Sequence, residues 1–157
     1  MINKIYDKYK IYDKYKIYEH VVQYYETDKM GITHHSNYIR WMEEARVDFL
    51  NQIGWDYARL ESLGIISPVV SVECKYKATT TFSDIVHISV SVEEFKGVKL
   101  SLCYHMVNAE DKIVCEAKSE HCFLNPQGIP IRLKREFPEF YNTLIELANA
   151  SDVKSTD

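Results

Sequence analysis

The sequence predicts an α+β fold in which one antiparallel sheet curls around a single long central helix. Three observations lead there. An apolar stripe with helical spacing runs from Tyr38 to Ile53. Further along, the hydrophobic period switches to two and recurs through several segments. These segments follow one another through short turns, which makes neighbouring strands antiparallel. A sheet with one apolar face must bury it, and one long apolar helix is at hand. The remaining sheet surface calls for a second subunit, so at least a dimer is expected.

The chain opens on a repeat. Lys4–Tyr9 reads KIYDKY, Lys10–Tyr15 repeats it unchanged, and Lys16–His20 starts a third copy as KIYEH. The period is too short for a solenoid. With little to bury, residues 1–15 are expected to be poorly ordered or to form an added strand-like arm. A single domain then spans 16–150, and 151–157 form a polar tail. The first strand is expected at Ile17–Tyr25, followed by a loop from Glu26 to His35. Ser36 is a suitable N-cap. Tyr38, Met42, Ala45, Phe49 and Ile53 share one helix face, widened by Trp41 and Leu50, and Gly54 stops the helix. A short helical turn, Asp56–Ser62, closes at Gly64.

Val70, Val72, Cys74 and Tyr76 then alternate with polar residues. So do Val86, Ile88, Val90 and Val92, and after them Val98, Leu100, Leu102, Tyr104 and Met106. Each reads as a half-buried strand with one wet face. A tight turn at Lys96-Gly97 joins the middle pair. The last strand, Ile113–Leu124, ends at the turn Asn125-Pro126-Gln127-Gly128. Glu136–Ala150 closes the domain as a helix, with Phe140, Leu144 and Leu147 on one face.

Composition narrows the function. With 157 residues the chain makes one domain. Its 19 basic and 23 acidic residues give a net charge of −4, which argues against a general nucleic-acid binder. Arg132, Lys134 and Arg135 are either a local basic patch or a solvated loop. None of Cys74, Cys103, Cys115 and Cys122 forms a CxxC pair, so they read as reduced packing residues. The N-terminus shows no apolar stretch of signal-peptide type and no run approaches a membrane span, so a cytoplasmic location is expected.

Reactive side chains concentrate between Tyr24 and Tyr38. Asp28 lies seven residues before His35, with Gly31 between them and a helix about to begin. A helix N-terminus offers unpaired N–H groups and partial positive charge, suited to a developing oxyanion. A carboxylate bent back towards it could attack a thioester carbonyl or activate a water. The plainer alternative is that Asp28 caps a turn through its side chain. His34 and His35 read as a polar helix start, with no third metal ligand nearby. Arg40, Glu43 and Glu44 can pair on the helix surface.

The segment Tyr25-Glu26-Thr27-Asp28-Lys29-Met30-Gly31-Ile32-Thr33-His34-His35-Ser36-Asn37-Tyr38, followed by Trp41 and Glu43-Glu44-Ala45-Arg46, resembles the signature of the 4-hydroxybenzoyl-CoA thioesterase branch of the hotdog superfamily. The resemblance covers about residues 16–145. It implies a hotdog fold and an acyl-CoA thioesterase. It also implies Asp28 as the catalytic carboxylate and His35, through its backbone N–H and its side chain, as the partner that polarises the carbonyl. Tyr25, Gly31 and Ser36 are the implied substrate-binding positions. A histidine at position 35 is similar to the general acyl-CoA members, where the benzoyl-CoA enzyme carries tyrosine. Thr33-His34 departs from the apolar and aromatic residues usual there, which bears on acyl preference. The resemblance further implies a homodimer or homotetramer and no cofactor. The partner is acyl-CoA, or an acyl carrier protein bearing the thioester. A non-catalytic acyl-CoA or acyl-carrier-protein binder is the alternative. A dehydratase, which needs a histidine within the helix, is disfavoured by its absence from Asn37 to Ile53.

Overall fold

The computed structural model describes residues 11–155, with side chains through residue 152. Five strands form one antiparallel sheet: β1 (Tyr18–Val21), β2 (Val69–Tyr76), β3 (Ile85–Phe95), β4 (Leu100–Asn108) and β5 (Ile113–His121), in the spatial order β1-β3-β4-β5-β2. The helices are α1 (Asn37–Gln52), α2 (Tyr57–Ser62), α3 (Leu133–Glu136) and α4 (Pro138–Ser155). The first strand is shorter than its sequence pattern suggests, because Tyr24–Glu26 turns into a 3₁₀ segment. None of the described helices is long and apolar enough to cross a membrane.

Helix α1 fills the curl of the sheet. Trp41, Ala45, Met42, Tyr38 and Phe49 are buried, packed with Val86, Ile88 and Val92 of β3 and Leu102, Tyr104 and Met106 of β4. Each large apolar side chain buried there stabilises the domain by roughly 1.5–3 kcal/mol. One charged residue lies among them. Arg46 donates from Nη1 to the Tyr104 hydroxyl (3.0 Å) and from Nε to the Tyr57 hydroxyl (3.2 Å). Tyr104 continues to Ser119 Oγ (2.7 Å), and Ser119 to His121 Nε2 (2.7 Å). A buried charge needs such partners.

The two sheet edges differ. β1 pairs only with Ile85–Ile88, leaving the rest of β3 without a strand on that side. Beyond the reach of β1, and next to a bulge between Val92 and Glu94, the Val92 N–H needs an acceptor. Tyr12 takes it up: the phenol accepts the Val92 N–H (2.9 Å) and donates to the Leu147 carbonyl of α4 (2.8 Å). Its ring stacks on Phe49, and Tyr15 meets the same ring edge-on. Residues 1–10 of the expected arm lie outside the described residues. The described part packs on the core through Tyr12 without being a strand.

β2, at the opposite edge, departs from its pattern. Val70, Val72 and Tyr76 were expected on a buried face, yet they are 56%, 39% and 44% exposed, and only Cys74 is half-buried. Among the described residues no strand pairs with the free side of β2. Conversely, His87, Ser89 and Ser91 on the expected wet face of β3 are buried. Ser89 and Ser91 are short side chains paired across the ladder with His105 and Cys103 of β4.

Candidate active site

The loop after the 3₁₀ segment is held as a small hairpin. Thr27 bridges Thr33, the Asp28 N–H donates to the Ile32 carbonyl (2.9 Å), and the Gly31 N–H donates to the Asp28 carbonyl (3.0 Å). Gly31 makes the return possible with φ at 78°, a left-handed conformation that glycine adopts without a Cβ penalty. Asp28 Oδ1 accepts the Met30 N–H (2.8 Å). Turn capping therefore describes one carboxylate oxygen. Among the described residues no donor is bonded to the other, and the side chain is half-buried.

The start of α1 is tied to the same loop. The Glu26 carbonyl accepts the His34 N–H (2.8 Å) and the Asn37 side-chain amide (2.9 Å). The His35 carbonyl accepts from the Tyr76 hydroxyl (3.0 Å), and no described residue accepts the His35 N–H. Ser36 takes the N-cap place, but its own backbone is helical and its hydroxyl bonds His34 Nδ1 (2.8 Å) instead of capping. The His34 and His35 rings lie together, 4.3 Å between centroids. Asp28, Gly31, His35 and Ser36 thus belong to one braced unit. Tyr25 stands apart from it, 83% exposed.

Several bracing residues carry no local signal in the sequence. Thr80, between β2 and β3, accepts the Thr33 N–H through its carbonyl (2.8 Å), and its hydroxyl bonds those of Thr33 (2.6 Å) and Tyr38 (2.9 Å). The Thr81 hydroxyl donates to the Gly31 carbonyl (2.7 Å). The run of three threonines at 79–81 was the only hint, and nothing along the chain says what it faces. Glu26, a buried carboxylate, accepts from the Gln23 N–H (2.8 Å) and Trp41 Nε1 (2.6 Å), and pairs with His20 (2.8 Å). Burial pushes its pKa up, but these three bonds outweigh burial and hold it below the usual carboxylate range. Glu44, expected to pair along the helix surface, turns to His20 Nδ1 (2.8 Å).

Behind His35, the Cys74 thiol is lowered to about 7, chiefly by a hydrogen bond from Cys115, and touches Met42 Sδ at 3.6 Å. Tyr76 is pushed up to about 12 by burial first and the neighbouring Cys74 second. All four cysteines are free.

Comparison with known proteins places this architecture. Residues 22–145 match the Thioesterase-like superfamily. The chain is 31% identical over 121 residues to the putative acyl-CoA thioesterase YneP of Bacillus subtilis, covering 76% of this chain and 88% of that one. It is 24% identical over 123 residues to the acyl-CoA thioester hydrolase YbgC of Escherichia coli O6:H1, covering 75% and 92%. Among solved structures, DHNA-CoA thioesterase from Staphylococcus aureus superposes with a TM-score of 0.83 at 30% identity, covering 88% of this chain and 94% of that one. The chain belongs to the thioesterase-like superfamily and carries its hotdog fold.

Proposed function

We propose that the protein hydrolyses an acyl-coenzyme A thioester, with Asp28 as nucleophile or general base and the His35 backbone N–H as oxyanion donor. The observation that carries this reading is the state of the two groups. One Asp28 oxygen is fixed by the Met30 N–H, and no described residue is bonded to the other. The His35 N–H, at the start of a helix braced to the same loop through Glu26, has no acceptor among the described residues. A thioester carbonyl gripped by that N–H develops negative charge on oxygen as its carbon is attacked. As a base, Asp28 takes a proton from water while the hydroxide adds. As a nucleophile, it forms a mixed anhydride that water then cleaves. In both routes the C–S bond breaks and the CoA thiolate leaves with a proton from solvent. The His35 side chain, against Tyr76, flanks this position.

Relatives named for acyl-CoA and DHNA-CoA thioester hydrolysis support the substrate class. An acyl-carrier-protein thioester presents the same bond. The exposed valines of β2 support a homodimer, in which a second copy covers the open end of the curl. Asp28→Asn keeps the size and the turn, and is expected to lower kcat on a panel of acyl-CoAs by at least about a thousandfold. Full activity would reject the assignment, and tight acyl-CoA binding without turnover in the wild type would favour the binding-only alternative. Transfer of solvent ¹⁸O into Asp28 during single turnovers separates nucleophile from base.

A further inference from the structure

His20 on β1 is buried at 8% exposure, and the reaction above does not use it. Its two ring nitrogens face two carboxylates. Nε2 lies 2.8 Å from Glu26 Oε1, and Nδ1 lies 2.8 Å from Glu44 Oε2. The Nε2 contact is a hydrogen bond and the Nδ1 contact an ion-pair distance, and two carboxylates this close favour a ring that carries a proton on each nitrogen, an imidazolium. The ring also lies on Trp41, 4.6 Å between centroids, and Trp41 Nε1 donates to the second oxygen of Glu26. Three elements therefore converge on one cation: β1 through His20, α1 through Trp41 and Glu44, and the 3₁₀ segment through Glu26.

Glu26 passes this restraint on through its main chain. Its carbonyl holds His34 and Asn37 at the start of α1, and Asp28 follows two residues later. The three bonds that keep its carboxyl below the usual range also keep it ionised and able to accept.

We propose that His20, held as an imidazolium between Glu26 and Glu44, is a positioning residue that fixes the Asp28 loop against the amino end of α1. The proposal rests on the reading of Asp28 as the catalytic carboxylate. A small misplacement of reacting groups can cost on the order of a hundredfold in rate. His20→Gln keeps one hydrogen bond and loses the cation. It is expected to lower kcat by on the order of tenfold to a hundredfold while leaving KM within about twofold, since the substrate-contacting groups remain. Glu44→Ala, at the exposed end of the pair, should leave folding intact and shift kcat in the same direction by less.

Nitrogen-15 NMR of labelled histidine supplies a readout independent of turnover. Both His20 nitrogens are expected to carry protons at neutral pH, with Nδ1 altered in Glu44→Ala. A neutral tautomer in the wild type would overturn the proposal. So would wild-type kcat in both variants while Asp28→Asn is inactive. An equal rise in KM with unchanged kcat would overturn it too. Full activity in Asp28→Asn would instead remove the catalytic reading beneath it.

Discussion

Single side chains in this molecule owe their behaviour to partners far away in sequence. His121, 2% exposed, is pushed down to about 4 from the ordinary 6.5, first by burial and then by the charge of Arg46. In the unfolded chain the same imidazole binds a proton at higher pH. The stabilisation from keeping it neutral is therefore complete above about 6.5 and is lost as pH falls through 4. It amounts to about 1–3 kcal/mol. Thermal denaturation from pH 7 to pH 4 should show this loss, and His121→Gln should flatten the slope over that window. Nothing along the chain foretold this. Arg46 was visible as the last residue of a family signature, but that it runs inward to Tyr104 and towards His121 depends on packing. Asp28 and His35 could be singled out as candidates because they sit in one unbroken stretch. His20, Thr80 and Thr81 reach that stretch only through space.

Elements tell a more favourable story for sequence reading. The stripe on α1 is a local periodicity, and Tyr38, Trp41, Met42, Ala45 and Phe49 are all buried as the spacing requires. Loop conformation was readable where glycine marked it. At Gly31 a Cβ would meet nothing within 4 Å, so the cost of adding one is purely conformational. Gly31→Ala should destabilise by about 1–2 kcal/mol and slacken the Asp28 hairpin, with Gly31→Asn costing less because asparagine tolerates the left-handed region better. Chemical denaturation of both variants checks the order. The β2 pattern was read correctly as alternation and incorrectly as burial. Period two says which side chains share a face, and only a covering surface says whether that face is dry.

For the whole molecule, that uncovered face is the surface the proposed assembly would cover. An eight-residue edge strand with exposed Val69, Val70, Val72 and Tyr76 invites pairing with another strand. The proposed homodimer supplies one. Replacing Val70 and Val72 together by lysine is expected to weaken self-association by at least about a hundredfold, from the lost burial of two valines. Light scattering over a concentration series measures it. Monomer–dimer balance unchanged by the double substitution would place the interface elsewhere.

The opposite margin of the sheet is guarded from within the chain, by a phenol that takes up the Val92 amide beside the bulge in β3. That guard is one tyrosine of the second hexapeptide, bonded to β3 and to the closing helix and stacked on Phe49. Tyr12→Ala should cost about 2–4 kcal/mol in thermal denaturation, the worth of a buried aromatic and two hydrogen bonds. The raw strand margin would then be open to water, and to any neighbour able to pair with it.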